Sequence, residues 1–216
     1  MSVKVVLNNI DNDATATNKD ILLTVNSVKF KSSNGTENTQ ASSVASNNFR
    51  IRKTVPTVAL AALPTTVLTA GDQVISKFTV TADANGDVSL NKIVLNTTNT
   101  SNATITALAV GSTLKVNGSY KTVSAVTYSA NTLTVALATD EVISAGSSKT
   151  FEILATLAVS GQGSESVTTK ISEEGSYATN GTGNFVWSDG ASISAPTYSN
   201  SYRVNGLTTA TQVLSK

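Results

Sequence analysis

Short runs in which apolar residues occur at every second position dominate this sequence. Phe151, Ile153 and Leu157 follow this spacing in one run, and Phe78 and Val80 follow it in another. Successive side chains of a β-strand point to opposite faces of a sheet, so a period of two is typical of half-buried strands. No long stretch combines a 3.6-residue period with good helix formers. The pattern therefore predicts an all-β protein.

Turn signals separate these runs at intervals of about ten residues, a spacing typical of β-sandwiches. Three Asn-Gly pairs, in which both residues tolerate positive φ, are the strongest hairpin signals. They are Asn34-Gly35, Asn85-Gly86 and Asn117-Gly118. The second pair predicts a hairpin that runs from Gln73–Ala82, through a turn at residues 83–86, to Asp87–Asn96. The predicted fold is an immunoglobulin-like antiparallel β-sandwich with an additional short N-terminal β unit.

The alternation also predicts which side chains form the core. Six apolar residues are expected to be buried: Phe78, Val80, Leu90, Phe151, Ile153 and Leu157. Ile75 is expected on the opposite face from Phe78. Leu154 lies between two predicted core positions, so its exposure tests the register of that strand.

A domain boundary is predicted near Thr54, which divides the chain into a short β unit, residues 1–53, and a sandwich, residues 54–216. Residues 1–53 hold seven Lys or Arg and four Asp or Glu, whereas the remaining residues hold eight and ten. Three strands are predicted in the first unit, near Val3–Leu7, Ile21–Phe30 and Phe49–Arg52. A three-stranded unit is marginal in water. It is therefore a partial domain, or it is completed by the sandwich, by another chain or by further residues of a longer chain.

The composition restricts the function. Only 13% of residues are charged and the net charge is +1, so there is no basic surface for nucleic acid. Ser, Thr and Asn supply the polar surface instead, which favours an extracellular, cell-surface location. The longest apolar run, Val58–Leu63, is too short to span a membrane. The absence of both Cys and His removes disulfides and the common nucleophile–base pairs, so the chain is predicted not to be an enzyme.

Carboxylates are the remaining candidates for chemistry. Asp140-Glu141 and Glu173-Glu174 are adjacent pairs, and neighbours on a strand point to opposite faces, so neither pair fits glycoside hydrolysis. No cofactor is predicted, although calcium accepts oxygen ligands of the available type. Two groups of residues are candidates for it: Asp11, Asn12 and Asp13 with Asp20, and Asp83, Asn85 and Asp87. The alternative is that these residues form turns through their own backbone.

Aromatic residues are concentrated towards the C-terminus. This cluster consists of Tyr177, Phe185, Trp187, Tyr198 and Tyr202. One interpretation is a platform that stacks against sugar rings. The other is that large side chains fill one end of the sandwich core.

Several segments resemble a known type of module. They are Arg50–Val58, Ser76–Asp83, Gly86–Ile93, Asn184–Asp189 and Tyr202–Leu207. Together they are similar to β-sandwich modules of large secreted cell-surface, S-layer-like proteins of candidate-phyla bacteria, over residues 50–207. The polar stretch Asn96–Thr104 departs from that pattern. The resemblance implies a cell-envelope role and supplies no catalytic residue.

Two functions follow from these observations. The first is a structural module of a bacterial cell-surface layer, filament or stalk, which assembles through β-strand edges with itself or with neighbouring surface-protein domains. The alternative is a carbohydrate-binding or adhesion module that uses the C-terminal aromatic cluster and has a glycan as its partner.

Overall fold

A computed structural model describes residues 19–21, 23–46, 49–51, 53–108, 111–161, 163–172, 183–189, 204 and 210–216. The predicted strand Val3–Leu7 lies outside these residues. Every regular element in the described ranges is a β-strand, as predicted. Those ranges contain no helix with the length and apolarity needed to cross a membrane.

The described residues form sixteen strands in four sheets. The first four are β1 (Lys19–Ile21), β2 (Thr24–Lys31), β3 (Glu37–Ala45) and β4 (Phe49–Ile51). The next six are β5 (Thr57–Leu60), β6 (Gly71–Thr81), β7 (Val88–Asn99), β8 (Ala103–Ala107), β9 (Leu114–Val116) and β10 (Ser119–Tyr120). The last six are β11 (Val123–Ser129), β12 (Thr132–Ile143), β13 (Ser148–Val159), β14 (Ser166–Ile171), β15 (Phe185–Ser188) and β16 (Thr211–Ser215).

Strands β5 to β16 form two six-stranded sheets. One has the order β5-β6-β13-β9-β10, with β8 also paired to β13. The other has the order β11-β12-β7-β14-β16, with β15 also paired to β7. The orders β5-β6-β13-β9 and β7-β14-β16 correspond to the A-B-E-D and C-F-G orders of immunoglobulin-like sandwiches, and β12 is an additional strand beside β7. The predicted fold class is therefore confirmed.

The core lies between these two sheets. All six residues predicted to be buried are at most 2% exposed. Phe151 and Phe78 are paired across β13 and β6, and their rings stack with centroids 5.5 Å apart. The ring of Phe185, from the other sheet, meets Phe78 edge-on at 6.5 Å. Such aromatic pairs add to the stabilisation that comes from burial of their surface.

A β-bulge changes the alternation on β6. Ile153 is paired with Ser76, but Leu154 is paired with Val74, so Ile75 is an extra residue on β6. As a result Ile75 and Ser76 are both buried. The prediction that Ile75 points away from the core was wrong, because an extra residue resets the alternation at that point. Leu154 is half-buried.

The predicted hairpin between Gln73–Ala82 and Asp87–Asn96 is wrong, because β6 and β7 belong to different sheets. The chain crosses from one sheet to the other at this turn. It is held there by the neighbouring crossing between β12 and β13, since the Gly146 amide donates to Asp83 O at 3.1 Å. Alternating apolar residues predict only that one face of each strand is buried. This holds both when two strands pair in one sheet and when they lie in two sheets that pack face to face.

The other two Asn-Gly hairpins are confirmed. Asn117 and Gly118, between β9 and β10, have φ of 49° and 81°. Gly35, between β2 and β3, has φ of 84°. A further tight turn joins β11 to β12 through Ala130 and Asn131, whose φ values are 47° and 63°. This turn contains no glycine, so it lacks the usual sequence signal of a two-residue hairpin.

Candidate functional site: an exposed β-ribbon

The described residues of the N-terminal segment form two pairs of antiparallel strands. Strand β1 pairs with β4, and β2 pairs with β3, with registers that run from Lys19↔Ile51 to Lys31↔Glu37. Next to the β2–β3 pair the Ser46 amide donates to Leu23 O at 2.7 Å. We call strands β1 to β4 the N-terminal ribbon. The eight residues of β2 correspond to a length of about 26 Å.

Both strands of the outer part of the ribbon are exposed. All eight residues of β2 are exposed, and no residue of β3 is buried. The exposed residues include large apolar side chains, namely Val25 at 48%, Val28 at 49%, Phe30 at 51% and Val44 at 69%. A contiguous apolar surface that stays exposed is typical of an interaction site.

A bulge distributes the apolar side chains over both faces of the ribbon. Val25 is paired with Val44, and Ser27 is paired with Ala41. One residue of β2, Asn26, lies opposite two residues of β3, so the extra residue of the bulge lies on β3. Strand β2 therefore keeps its alternation, which places Val25 and Val28 on opposite faces.

The two edges of the ribbon differ in their charge. Strand β2 carries Lys29 and Lys31, and lysines on an edge strand discourage further strand pairing. Strand β3 carries a single charge, on its first residue Glu37, and contains neither Lys nor Pro. The edge of β3 is therefore the less protected one.

The base of the ribbon is attached to the sandwich. The Lys53 amide donates to Asp189 Oδ2 at 3.1 Å, and Asp189 is only 6% exposed. The aliphatic part of the Lys53 side chain packs over Gly86, where a Cβ atom would lie 3.1 Å from Lys53 Cγ. Thr54 and Pro56 are buried just before β5 begins. The chain that leaves the ribbon is therefore fixed in position.

A second weakly protected edge occurs on the sandwich, at β11, which the sequence did not single out. This strand pairs with β12 and contains no charged residue and no proline. Val126 and Tyr128 are half-buried at the rim of the core. The hydroxyl of Tyr128 lies 3.2 Å from Thr97 Oγ1 and accepts a hydrogen bond from Asn99 Nδ2 at 3.1 Å. The neutral composition of residues 123–129 is the sequence signal that could have identified it.

The carboxylates of Asp140 and Glu141 are held by different partners. Glu141 is 7% exposed and forms ion pairs with Lys149 and with Lys121, the latter with Nζ and Oε2 2.9 Å apart. Burial opposes ionisation, but the hydrogen bonds and charges of the two lysines outweigh it and hold the pKa of Glu141 below its usual range. Asp140 Oδ1 accepts from Asn91 Nδ2 at 2.9 Å. Glu173-Glu174 lies outside the described residues.

The candidate calcium ligands at the β6–β7 turn bind the protein backbone. Asp83 Oδ1 accepts from the Asn85 amide at 2.9 Å, and Asp87 Oδ1 accepts from the Ala145 amide at 2.8 Å. This geometry agrees with the turn interpretation. No three acidic residues converge to hold a metal ion in the part of the chain that the structure describes. The other group lies outside that part, since residues 11–13 and the side chain of Asp20 are not described.

The C-terminal aromatic cluster is not an exposed platform at the two positions that the structure describes. Phe185 and Trp187 lie on β15 and are each 1% exposed. Their rings belong to the core, so neither can stack against a sugar. The other three members, Tyr177, Tyr198 and Tyr202, lie outside the described residues.

Comparisons with known proteins give only weak similarities. No family model and no curated protein matches the chain. A variant of BcpA, the major pilin subunit of Bacillus cereus, is 16% identical over 76% of this chain and 45% of its own, with a TM-score of 0.31. BcpA itself is 15% identical over 68% and 42%, with a TM-score of 0.27. BslA, a bacterial hydrophobin, is 13% identical over 55% and 79%, with a TM-score of 0.23. The chain spans less than half the length of the two pilin structures.

Proposed function

We propose that this chain is a structural module of a bacterial cell-surface layer, filament or stalk, and that it assembles through its β-strand edges. Its partner is a second copy of itself or a neighbouring surface-protein domain. The observation that carries the proposal is the N-terminal ribbon, which keeps large apolar side chains such as Val28 and Phe30 about half exposed.

A two-stranded ribbon is at best marginally stable by itself, because it has no second layer on which to bury its apolar side chains. Pairing with another strand supplies both backbone hydrogen bonds and apolar contacts. When the donating and accepting surfaces of a subunit differ, contacts of this kind form rings if the rotation between subunits closes and open chains if it does not. A ribbon that is exposed in the single chain and buried in an assembly is therefore suited to a structural role.

The composition supports the cell-surface part of the proposal. Only 13% of the residues are charged, and neutral Ser, Thr and Asn supply much of the polar surface. The sequence resemblance to S-layer-like modules supports the same setting. The proposal includes no catalytic step, and the burial of Phe185 and Trp187 removes two members of the cluster on which carbohydrate binding depends.

Self-association of the full chain tests this function. We expect sedimentation velocity to show species larger than the monomer that increase with protein concentration, and electron microscopy to show strings or sheets. Val28→Asp should shift the equilibrium towards the monomer, because a carboxylate is costly to bury in an apolar contact. A matched control is Val142→Asp, since Val142 lies on β12 of the sandwich and is 45% exposed against 49% for Val28.

Two results would contradict the proposal. One is a strict monomer at high concentration. The other is an equal loss of association in both variants, which would reflect the added charge and not the ribbon.

A further inference from the structure

We infer that β3 of one copy adds to the open edge of β11 in a second copy, and so extends the six-stranded sheet that begins with β11. This inference rests on the proposed function and names the two surfaces that meet. It identifies which edge of the sandwich accepts the ribbon. Neither the strand order nor the sequence patterns alone determine that edge.

Strand β11 is the longest edge strand of the sandwich among the described residues. It has seven residues, whereas β8 has five, β5 has four and β10 has two. Strand β16 is covered at one end, since the Ser215 amide donates to Thr66 O and Ser215 O accepts from the Leu68 amide. Seven strand residues offer about 23 Å of edge.

The donor edge and the acceptor edge are matched in composition. Strand β3 has nine residues and β11 has seven. Neither strand contains Pro, and the only charge on either is that of Glu37 at the start of β3. Natural edge strands are blunted by charge, proline or bulges. Each of these two edges has one bulge, and each is regular and neutral beyond it, over Asn38–Ala41 on β3 and Ala125–Ser129 on β11, so these stretches can pair.

Charge complementarity identifies the partner as a second copy. Residues 1–53 hold seven Lys or Arg against four Asp or Glu, whereas residues 54–216 hold eight against ten. The N-terminal segment is therefore positive and the rest of the chain is negative. Because β2 is exposed along its whole length, the chain's own sandwich does not cover it. A complementary surface is available on another molecule, where opposite charge favours the encounter.

In this arrangement the face of the ribbon that carries Val28 and the core-facing side of β11 lie on the same side of the extended sheet. Val28 and Phe30 are two residues apart and share one face of the ribbon, with Gln40 and Asn38 as their cross-strand partners. On β11 the side chains that face the core rim are Val126 and Tyr128, both half-buried. With β3 beside β11, Gln40 and Asn38 lie next to this rim, and Val28 and Phe30 extend the same face one strand further out.

The same arrangement explains how the extension stops. Once β3 is paired, β2 becomes the new outer edge of the sheet. That strand carries Lys29 and Lys31, so the new edge is protected against a further strand. Each acceptor edge therefore takes one ribbon.

Disulfide trapping tests the inference directly, because the chain contains no cysteine. Single cysteines are placed in the full chain at exposed positions on β3 (Thr39→Cys, Ala41→Cys) and on β11 (Ala125→Cys, Thr127→Cys). One variant with a cysteine on β3 and one with a cysteine on β11 carry different tags. The two proteins are mixed under mild oxidation, and the disulfide that links them is quantified. Thr104→Cys, on the exposed face of edge strand β8, replaces the β11 variants in the control.

We expect at least one β3–β11 combination to form the mixed disulfide about tenfold more than the β3–β8 controls, because docking raises the effective concentration of the two thiols. If the chain associates but β11 gives no more product than β8, the assignment of the acceptor is wrong while the proposed function stands. If the chain is a strict monomer, both are wrong. Circular dichroism verifies that each variant keeps the β-rich fold.

Discussion

Phe30 and Phe151 both lie on long antiparallel strands, yet Phe30 is 51% exposed and Phe151 is fully buried. The difference lies in what surrounds each strand. Strand β13, which carries Phe151, has neighbours on both edges and a second sheet packed over one face. Strand β2, which carries Phe30, has one neighbour among the described strands. The same side chain therefore stabilises the fold in one region and remains available for another molecule in the other.

Strand pairing alone does not bury an apolar side chain, because the hydrogen bonds of a sheet lie in its plane and the side chains point out of it. Burial requires a second layer, and none of the residues that the structure describes packs over β2 or β3 closely enough to bury them. The ribbon is therefore held mainly by backbone hydrogen bonds and by the attachment of Lys53 to Asp189. It should open and close more readily than the sandwich.

The largest expected effect comes from removing an aromatic ring in each region. Phe151→Ala should lower the free energy of unfolding by about 3–5 kcal/mol, because it removes buried surface and leaves a cavity next to Phe78. Phe30→Ala removes a half-exposed ring and should cost less than about 1 kcal/mol. Both values can be measured by chemical denaturation monitored by the fluorescence of Trp187. This residue is the single tryptophan of the chain and is buried in the sandwich.

Equal costs for the two substitutions would contradict the comparison. A large effect of Phe30→Ala in the dilute monomer would mean that the ribbon is packed in the single chain. An effect that increases with protein concentration would instead sharpen the comparison, because it would show that Phe30 becomes buried on association.

An intermediate effect is expected at Glu141. Replacing it with Gln removes the charge that two lysines hold, and should cost about 1.5–3 kcal/mol at neutral pH, the range for hydrogen bonds to charged groups. The matched control is Glu37→Gln on the ribbon, whose side chain is 82% exposed and which should leave the free energy of unfolding unchanged.

The pH dependence of stability checks the same site. The pKa of Glu141 is lower in the folded state than its usual value, so ionisation of Glu141 stabilises the fold at pH values above that usual value. This contribution is lost as the pH falls through the pKa of the folded state. The difference in stability between the wild type and Glu141→Gln should therefore shrink below about pH 4.3, the usual value for Glu. A difference that stays constant down to the acid transition would argue against the ion pairs.

The core was predictable from the sequence because burial and alternation are local properties. Phe78, Leu90 and Phe151 were identified as core residues without knowledge of strand order. Ile75 was not, because a bulge inserts one residue without any marked change in composition. Strand alternation is therefore reliable between irregularities and fails at them.

The Asn85-Gly86 pair shows why the connection between two strands was harder to predict. The pair indicates a hairpin when both residues need positive φ, as Asn117 and Gly118 do. Gly86 does not have positive φ, and its lack of a side chain makes room for Lys53 instead. Because Lys53 is remote in the sequence, no local pattern reports that contact.

The candidate site was predictable only in outline. The N-terminal segment was expected to be too small for a core of its own, and its apolar side chains are indeed exposed at Val28 and Phe30. The open edge of β11 was not found, because exposure of an edge depends on strand order. Burial of Trp187 was likewise undetermined, since an aromatic residue serves equally well in a core and on a platform.

The smallest expected effect concerns the ion pairs of the two regions. Lys31 and Glu37 face each other across the ribbon at 4.0 Å, with side chains 66% and 82% exposed. Lys77 and Glu152 are cross-strand partners in the sandwich at 2.8 Å, with side chains 25% and 17% exposed. Double-mutant cycles with Ala should give a coupling near zero for the ribbon pair and about 0.5–1 kcal/mol for the sandwich pair. Lys31 and Glu37 are farther apart and more exposed to water, which screens their charges. Their interaction should therefore contribute little to the stability of the monomer. A ribbon coupling equal to that of the sandwich pair in dilute solution would show that the ribbon is already shielded from water in the single chain, which would remove the distinction between the two regions.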